Sequence, residues 1–106
     1  MKTILLTIII GLASFYSDSF EGKRTASGET FRQAKFTAAS NSYRFGTYVK
    51  VTNISNNKSV IVKINDRVKN PNILIDLSEA AAKKLGYIKK GVTKVKVEKI
   101  KWINKH

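Results

Sequence analysis

Apolar and polar residues alternate along two neighbouring stretches of the chain, residues 48–53 and residues 59–64. The residues that share one face are Val49 and Val51 in the first stretch and Val60, Val62 and Ile64 in the second. A period of two indicates half-buried strands. Asn56 and Asn57 lie between the stretches and tolerate the left-handed backbone of a tight turn. The pattern predicts a β-hairpin.

One segment has a helical period instead. Ala81 and Leu85 are four residues apart and therefore share one face of a helix. Ser78 is a good N-cap, and Gly86 suits the left-handed position that follows a last helical turn. We predict one short α-helix over about residues 78–85.

The last stretch of the chain alternates with a change of phase. Val95 and Val97 face one way, whereas Ile100 and Trp102 have the opposite parity. A bulge near Lys99, or the end of core packing there, would account for the change. Many short strands with one short helix predict a mainly β fold that forms a small closed or nearly closed barrel.

The start of the chain has two interpretations. A lysine, an isoleucine-rich run and then Gly11 and Ala13 fit a secretory signal with a small-residue cleavage site. A run of this length also fits a buried first strand, and it is too short for a membrane-spanning helix. We predict a signal peptide over residues 1–13 that overlaps the first strand, and one barrel domain over residues 11–103.

The composition limits the kinds of catalytic and metal-binding site that the chain can form. The 106 residues contain no cysteine, and the single histidine is the terminal residue His106. These features exclude disulfides and thiolate metal sites and argue against histidine-dependent catalysis, so we expect no metal and no other cofactor. The net charge of +13 attracts the chain to anionic polymers, which include nucleic acid, anionic membrane and cell-wall polymers.

Two of the seven acids lie in turn contexts, where side chains are usually exposed. Glu29 follows a Ser-Gly pair, and Asp66 stands between Asn65 and Arg67. Paired carboxylates are the usual equipment for breaking a glycosidic bond. Plainer interpretations stay open, with Asp66 as a turn acid paired to Arg67 and Glu29 as a solvated loop acid. We predict that Asp76 caps the helix.

Seven short segments follow one another in an order that is more specific than any one of them. They are Gly11-x-Ala13-Ser14-Phe15-Tyr16, Arg24-Thr25-Ala26-Ser27-Gly28-Glu29, Thr37-Ala38-Ala39, Phe45-Gly46-Thr47, Val51-Thr52-Asn53, Asn65-Asp66-Arg67 and Ile75-Asp76-Leu77-Ser78-x-Ala80-Ala81. Together, over roughly residues 11–100, they resemble the catalytic domain of the rare lipoprotein A (RlpA) family. The resemblance implies a six-stranded double-psi β-barrel, a fold shared with expansins. It also implies endolytic cleavage of peptidoglycan between N-acetylmuramic acid and N-acetylglucosamine, without water and with a 1,6-anhydro product.

The resemblance implies a catalytic pair, with Asp66 as acid/base and Glu29 as the supporting carboxylate, although the two roles could be exchanged. The implied substrate-binding residues are Arg24, Ser27, Ser40, Arg67 and Tyr16. Arginine offers a rigid fork of donors for carboxylate or acetamido oxygens, and an aromatic ring offers a face for a sugar. Several departures from the family matter. Ser40 stands where the family has histidine and cannot carry a proton charge near neutral pH. Val68 and Lys69 follow Asn65-Asp66-Arg67, where the family usually has Gly-Pro.

Three functions therefore compete. The first is a lytic transglycosylase, and the second is a non-catalytic, expansin-like wall-binding barrel, which Ser40 and the charge favour. A nucleic-acid binder has only the charge in its favour, so we expect no nucleic-acid partner. The expected partner is the peptidoglycan glycan strand, with peripheral or no membrane contact. We expect a monomer that is secreted or periplasmic and associated with the cell wall.

Overall fold

Six strands form the frame of the protein in a computed structural model that describes residues 7–101. In chain order the elements are β1 (Ile8–Phe15), a 3-10 turn (Asp18–Phe20), β2 (Thr37–Ser40), β3 (Tyr48–Asn53), β4 (Ser59–Asp66), β5 (Ile75–Leu77), α1 (Glu79–Leu85) and β6 (Thr93–Lys99). The strands close into a barrel in the order β1-β5-β2-β4-β3-β6. The predicted mainly β fold, with six barrel strands and one short helix, is confirmed.

Alternation along the strands fills the barrel. The inward residues of β3, β4 and β6 are all almost fully buried, namely Val49, Val51, Val60, Val62, Ile64, Val95 and Val97. Ala81, Ala82 and Leu85 of α1 pack on the same core. Each buried valine or leucine side chain contributes roughly 1.5–3 kcal/mol through removal of apolar surface from water. The outward positions carry the polar residues and the site, together with exposed apolar side chains such as Ile10 and Ile61.

The two local predictions are confirmed. The β3–β4 hairpin turns at Asn57, whose φ of 61° is left-handed. Ser78 caps α1 by accepting a hydrogen bond from the Ala81 amide at 3.4 Å, and Gly86 ends the helix with a φ of 78°. β6 ends at Lys99, so the phase change in the sequence falls at the end of the strand.

The isoleucine-rich start contributes a strand. β1 pairs with β6 in antiparallel fashion from Ile8 to Ala13 and with β5 in parallel fashion from Ala13 to Phe15. The signal peptide over residues 1–13 stays a prediction, and residues 1–6 lie outside the described part of the chain, as do Trp102 and His106. Within residues 7–101, no helix is both long enough and apolar enough to cross a membrane.

A long connection covers the outer face of the barrel between β1 and β2. Its Phe31 packs with Tyr16 and with Ala39 of β2 in a second small apolar cluster, against which Val68 also packs. Apart from the 3-10 turn and one β-bridge between Arg24 and Thr30, the connection is irregular, and long irregular loops are usually functional. This loop forms one wall of the candidate site.

Asn53, the last residue of β3, joins three elements. It is 1% exposed, and its Nδ2 donates to the Leu85 carbonyl at 2.9 Å. Its Oδ1 accepts from the Thr93 hydroxyl at 3.0 Å and from the Ser55 amide at 3.1 Å. The side chain therefore ties the hairpin to the end of α1 and to the start of β6.

We predict that Asn53→Ala lowers the free energy of unfolding by about 1–3 kcal/mol, because it leaves the buried Thr93 hydroxyl without its acceptor. Urea unfolding measures the change. Asn72→Ala, at an exposed turn position, is the control and should stay within about 0.5 kcal/mol of the wild type. Equal midpoints for the two variants would contradict this role of Asn53.

Candidate active site

A register shift sets the direction of Asp66. Ala38 of β2 lies opposite Ile64 of β4, but Ala39 lies opposite Asp66, so Asn65 is an extra residue in β4. Because Ile64 points into the core, regular alternation would turn Asp66 inward as well. Bulges of this kind re-aim side chains. Asp66 emerges on the outer face of the barrel beside Ala39.

The same outer row carries a second acid. Ala39 also lies opposite Asp76 of β5, and Asp76 lies opposite Ser14 of β1. Four neighbouring strands thus present Ser14, Asp76, Ala39 and Asp66 in one row. The backbones that carry the two acids are two strand spacings apart, about 9–10 Å. Ala39, between the two acids, is 2% exposed because Tyr16 and Phe31 pack over its small side chain.

Both acids line one open cavity of about 690 Å³. The other residues of its walls are Ser14, Tyr16, Phe20, Lys23, Arg24, Thr25, Ala26, Arg67, Val68, Lys69, Asn70, Ile73 and Val92. Four of these are Lys or Arg, so cations surround the two carboxyl groups. Phe20, which is 46% exposed, adds an apolar surface.

Three donors hold Asp66. The Tyr16 hydroxyl donates to Oδ2 at 2.7 Å, and the amides of Ala26 and Arg67 donate to Oδ1 at 2.9 Å each. Both oxygens of the Asp66 carboxyl group therefore act as hydrogen-bond acceptors. Burial, with the neighbouring carboxylate, raises the pKa of Tyr16 far above its ordinary value, so its hydroxyl remains a donor.

Neighbouring side chains of the protein cover the Tyr16 ring. It stacks on Phe31 with ring centroids 4.1 Å apart and meets the Phe20 edge at 5.6 Å. With 5% of its surface exposed, the ring offers no free face for a sugar. Tyr16 therefore contributes its hydroxyl to the site, and Phe20 supplies the exposed aromatic surface.

Asp76 has a different environment. Burial is the main cause that raises the pKa of its carboxyl, the Ser14 hydrogen bond opposes this effect, and the charge of Asp66 adds to it. The Ser14 hydroxyl donates to Asp76 Oδ1 at 2.9 Å. The prediction that Asp76 caps the helix is wrong, because Ser78 takes the N-cap position and Asp76 lies in β5. Two carboxyls in contrasting environments are a common arrangement for acid–base chemistry.

Glu29 lies in a neighbouring cavity of about 380 Å³. Its Oε2 is 2.6 Å from Lys63 Nζ, and this contact lowers the pKa of Glu29. Asn65 lines this cavity, whereas the next residue, Asp66, lines the larger one. The structure therefore brings Asp66 together with Asp76 and places Glu29 beside them, in a separate depression.

The two predicted arginines both reach the larger cavity. Arg24 Nη1 donates to the Gly28 carbonyl at 3.1 Å. Arg67 Nη1 donates to the carbonyls of Ser40 and Tyr43 at 2.8 Å each, and its guanidinium lies 3.9 Å from the centre of the Phe45 ring. Arg67 thus fixes the loop after β2 as well as lining the site.

The two predicted serines lie behind the site. Ser27 Oγ is 2.8 Å from the Thr25 hydroxyl and accepts from the Glu29 amide at 3.3 Å, so it shapes the turn. Ser40 is 1% exposed, and its Oγ accepts from the Ser42 amide at 3.0 Å. Neither serine lines the two cavities described above.

Sequence reasoning missed Asp76 as a cavity residue, although a signal was present. In Ile75-Asp76-Leu77 the acid occupies the outward position of a buried strand, and Ser78 alone already accounts for the helix cap. Phe20 and Lys23 carried no comparable signal. Among residues 7–101, no group of three or more His, Cys, Asp or Glu side chains is placed to hold a metal ion.

Comparisons identify the class of protein. The family described as lytic transglycolase matches residues 8–97, so the chain belongs to this family of double-psi β-barrels. Endolytic peptidoglycan transglycosylase RlpA of Haemophilus influenzae is 47% identical over 89 residues, covering 83% of this chain and 31% of that protein. RlpA of Pseudomonas aeruginosa strain UCBPP-PA14 is 50% identical over 95 residues, covering 87% and 27%. The chain spans about a third of the length of these relatives.

Solved structures show the same fold at low identity. The apo expansin of Clavibacter michiganensis superposes with a TM-score of 0.73 and 20% identity, over 93% of this chain and 53% of that one. A Streptomyces papain inhibitor gives a TM-score of 0.73 and 21% identity, over 90% and 96%. A mutant of the expansin in complex with cellohexaose gives 0.71 and 19%, over 94% and 54%.

The raised pKa of Asp76 predicts a pH-dependent stability. Ionisation costs more in the folded than in the unfolded state, so the contribution of Asp76 is full below its unfolded pKa of about 3.9 and is lost as pH rises through the folded value. Asp76→Asn should therefore melt at a higher temperature than the wild type at pH 7. The difference should disappear below about pH 4.

Thermal melting at both pH values measures this effect. Asp18→Asn, at an exposed position of the 3-10 turn, is the control and should show no such pH-dependent gain. An Asp76→Asn protein that is less stable than the wild type at pH 7 would show that the buried carboxylate stabilises the fold.

Proposed function

We propose that this chain is an endolytic peptidoglycan transglycosylase that cleaves the bond between N-acetylmuramic acid and N-acetylglucosamine and leaves 1,6-anhydro ends. The observation that carries the proposal is the placement of Asp66 and Asp76 in one open cavity, in contrasting environments. The RlpA relatives, about half identical over this segment, support the same activity.

The raised pKa of Asp76 suits it for the acid/base role. Its carboxyl donates a proton to the glycosidic oxygen as the bond from the anomeric carbon to that oxygen breaks. The 6-hydroxyl of the N-acetylmuramic acid then attacks the anomeric carbon of that sugar, and the hydroxyl proton passes to the Asp76 carboxylate. The protein returns to its starting state, and no water is consumed.

Asp66 then supports the charge. The three donors that hold it keep a negative group fixed beside the sugar, where positive charge develops in the oxocarbenium-like transition state. The sequence predicts the acid/base role for Asp66 and the supporting role for Glu29. Here Asp76 is the acid/base, Asp66 is the supporting carboxylate, and Glu29 is not part of the pair. Glu29 lines the smaller cavity, where the proposal places a neighbouring sugar of the same strand.

The rim suits a wall polymer. Lys23, Arg24 and Lys69 line the cavity and complement carboxylates carried by peptidoglycan. We propose a secreted or periplasmic, wall-associated monomer whose barrel domain spans residues 11–103, with a signal peptide over residues 1–13. Such a location fits both the relatives' activity on peptidoglycan and the charge of +13.

We predict that Asp66→Asn and Asp76→Asn each lower the rate of 1,6-anhydro product formation by about 10²–10⁴-fold, because each removes a carboxylate from the reacting pair. The substrate is peptidoglycan glycan freed of stem peptides, and mass spectrometry counts the anhydro ends. Asp18→Asn, whose residue lies outside the cavity walls, should keep the wild-type rate.

Glu29→Gln decides between the two possible pairs. A loss of less than about tenfold supports the Asp66–Asp76 pair. A loss as large as that of Asp66→Asn, with Asp76→Asn still active, would show that the catalytic pair is Asp66 and Glu29, as the sequence predicts. Absence of anhydro ends with the wild type contradicts transglycosylase activity altogether.

One observation favours wall binding without cleavage as a second candidate. Ser40 replaces the histidine of the family, and its buried hydroxyl is committed to the Ser42 amide. No residue of the described cavity walls carries an imidazole. The cavity and its cations would then hold a glycan without breaking it.

We predict that the protein sediments with insoluble peptidoglycan at about 0.15 M salt and that the bound fraction falls at about 1 M salt, where charges are screened beyond about 3 Å. Binding with anhydro ends supports the enzyme, and binding without them supports the wall-binding barrel. A bound fraction that does not respond to salt would contradict a role for the basic rim.

A further inference from the structure

The smaller cavity, which Glu29 lines, contains two unusual atoms. Among residues 7–101, three buried side-chain atoms lack a hydrogen-bond partner, namely Thr37 Oγ1, Thr52 Oγ1 and Asn65 Oδ1. Thr37 and Asn65 both line the smaller cavity. Buried polar atoms without partners are rare and costly. Two of them at one cavity indicate a ligand site. Both atoms are covered by neighbouring groups in this structure, so a ligand reaches them when side chains of the cavity wall shift.

The two atoms belong to adjacent strands. Thr37 begins β2 opposite Lys63 of β4, and Asn65 follows two residues further along β4. Thr37 is 7% exposed and Asn65 is 3% exposed. The Asn65 side chain hydrogen-bonds Glu29, which takes its amide nitrogen as donor and leaves Oδ1 as a free acceptor. The Thr37 hydroxyl provides a donor.

The two free atoms, rather than the charge of the cavity walls, define the ligand. Of the three cations there, Lys63 pairs with Glu29 at 2.6 Å, Arg32 pairs with Glu21 at 3.2 Å, and Lys35 is the third. Both pairs are exposed, so each stabilises the free protein little and can shift when a ligand enters. A neutral group with one donor and one acceptor therefore complements the two free atoms better than a carboxylate does.

We propose that this cavity is a sugar subsite that binds the acetamido group of an N-acetylated sugar. The acetamido N–H donates to Asn65 Oδ1, and its carbonyl accepts from the Thr37 hydroxyl. Because Asn65 directly precedes Asp66, the bound sugar neighbours the sugar at the reacting cavity. The proposal rests on the proposed function for the identity of the polymer, but it is tested by binding alone.

The test compares two hexasaccharides by isothermal titration calorimetry. The N-acetylglucosamine hexamer carries an acetamido group on each sugar, and cellohexaose carries a hydroxyl in its place. The wild type should bind the N-acetylated hexamer more tightly. Thr37→Val should weaken binding of that hexamer roughly three- to tenfold, the effect of one lost hydrogen bond, and should leave binding of cellohexaose unchanged.

Thr52→Val is the matched control, because Thr52 is also a strand threonine that is 7% exposed and has an unpartnered hydroxyl. It should leave both affinities unchanged. Neither variant should melt at a lower temperature than the wild type, because each removes a hydroxyl that has no partner in the fold. A lower melting temperature for Thr37→Val alone would show that its hydroxyl has a structural role and would overturn the proposal.

A second measurement needs no substitution. The Asn65 side-chain amide resonances of the wild type should shift on addition of the N-acetylated hexamer and stay in place with cellohexaose. The proposal is overturned if the wild type binds the two hexamers equally, if Thr37→Val loses both to the same extent, or if the Asn65 resonances do not respond. Absence of anhydro products with intact binding contradicts the proposed function and leaves the subsite standing.

Discussion

The register shift between β2 and β4 is the constraint on which the site depends. One extra residue, Asn65, turns Asp66 from the barrel interior to the outer face, where it joins Asp76 across Ala39. The amide of Ala26 and the hydroxyl of Tyr16 then hold the Asp66 carboxylate. These contacts also fasten the long β1–β2 connection to the barrel, so the site and the loop that forms its wall stabilise each other.

The two acids differ in their hydrogen-bond donors and in their burial. Asp66 has three donors, while Asp76 is largely buried and has the Ser14 hydroxyl as its one direct side-chain donor. Burial of Asp76 costs free energy of folding when its carboxyl ionises, and such costs are typical of sites that are shaped for chemistry. The close packing of the barrel core offsets this cost in a chain that has no cysteine.

The two cavities define the path that we propose for a glycan strand. The cavity of Asp66 and the cavity of Glu29 are lined by consecutive residues of β4, so the proposal places neighbouring sugars of one strand in both. In this proposal the basic rim holds the anionic polymer, the acids act on one linkage, and Thr37 with Asn65 contacts the adjoining sugar. Ser40, at the position where the resemblance to RlpA implies a histidine, lines neither cavity, and its hydroxyl and carbonyl accept hydrogen bonds from Ser42 and Arg67.

The sequence by itself determined the hairpin, the capped helix and the mainly β class, because each depends on alternation or caps within a few residues. The ordered motifs determined the family for the same reason, because each motif is a short contiguous segment that can be read directly from the sequence. Which acids meet was decided by the tertiary structure. Asp66 and Asp76 come together through barrel closure and one bulge, and both arise from pairing between distant strands. Glu29, which the sequence pairs with Asp66, is held at Lys63 instead, because that cation lies on the outer side of β4 next to it.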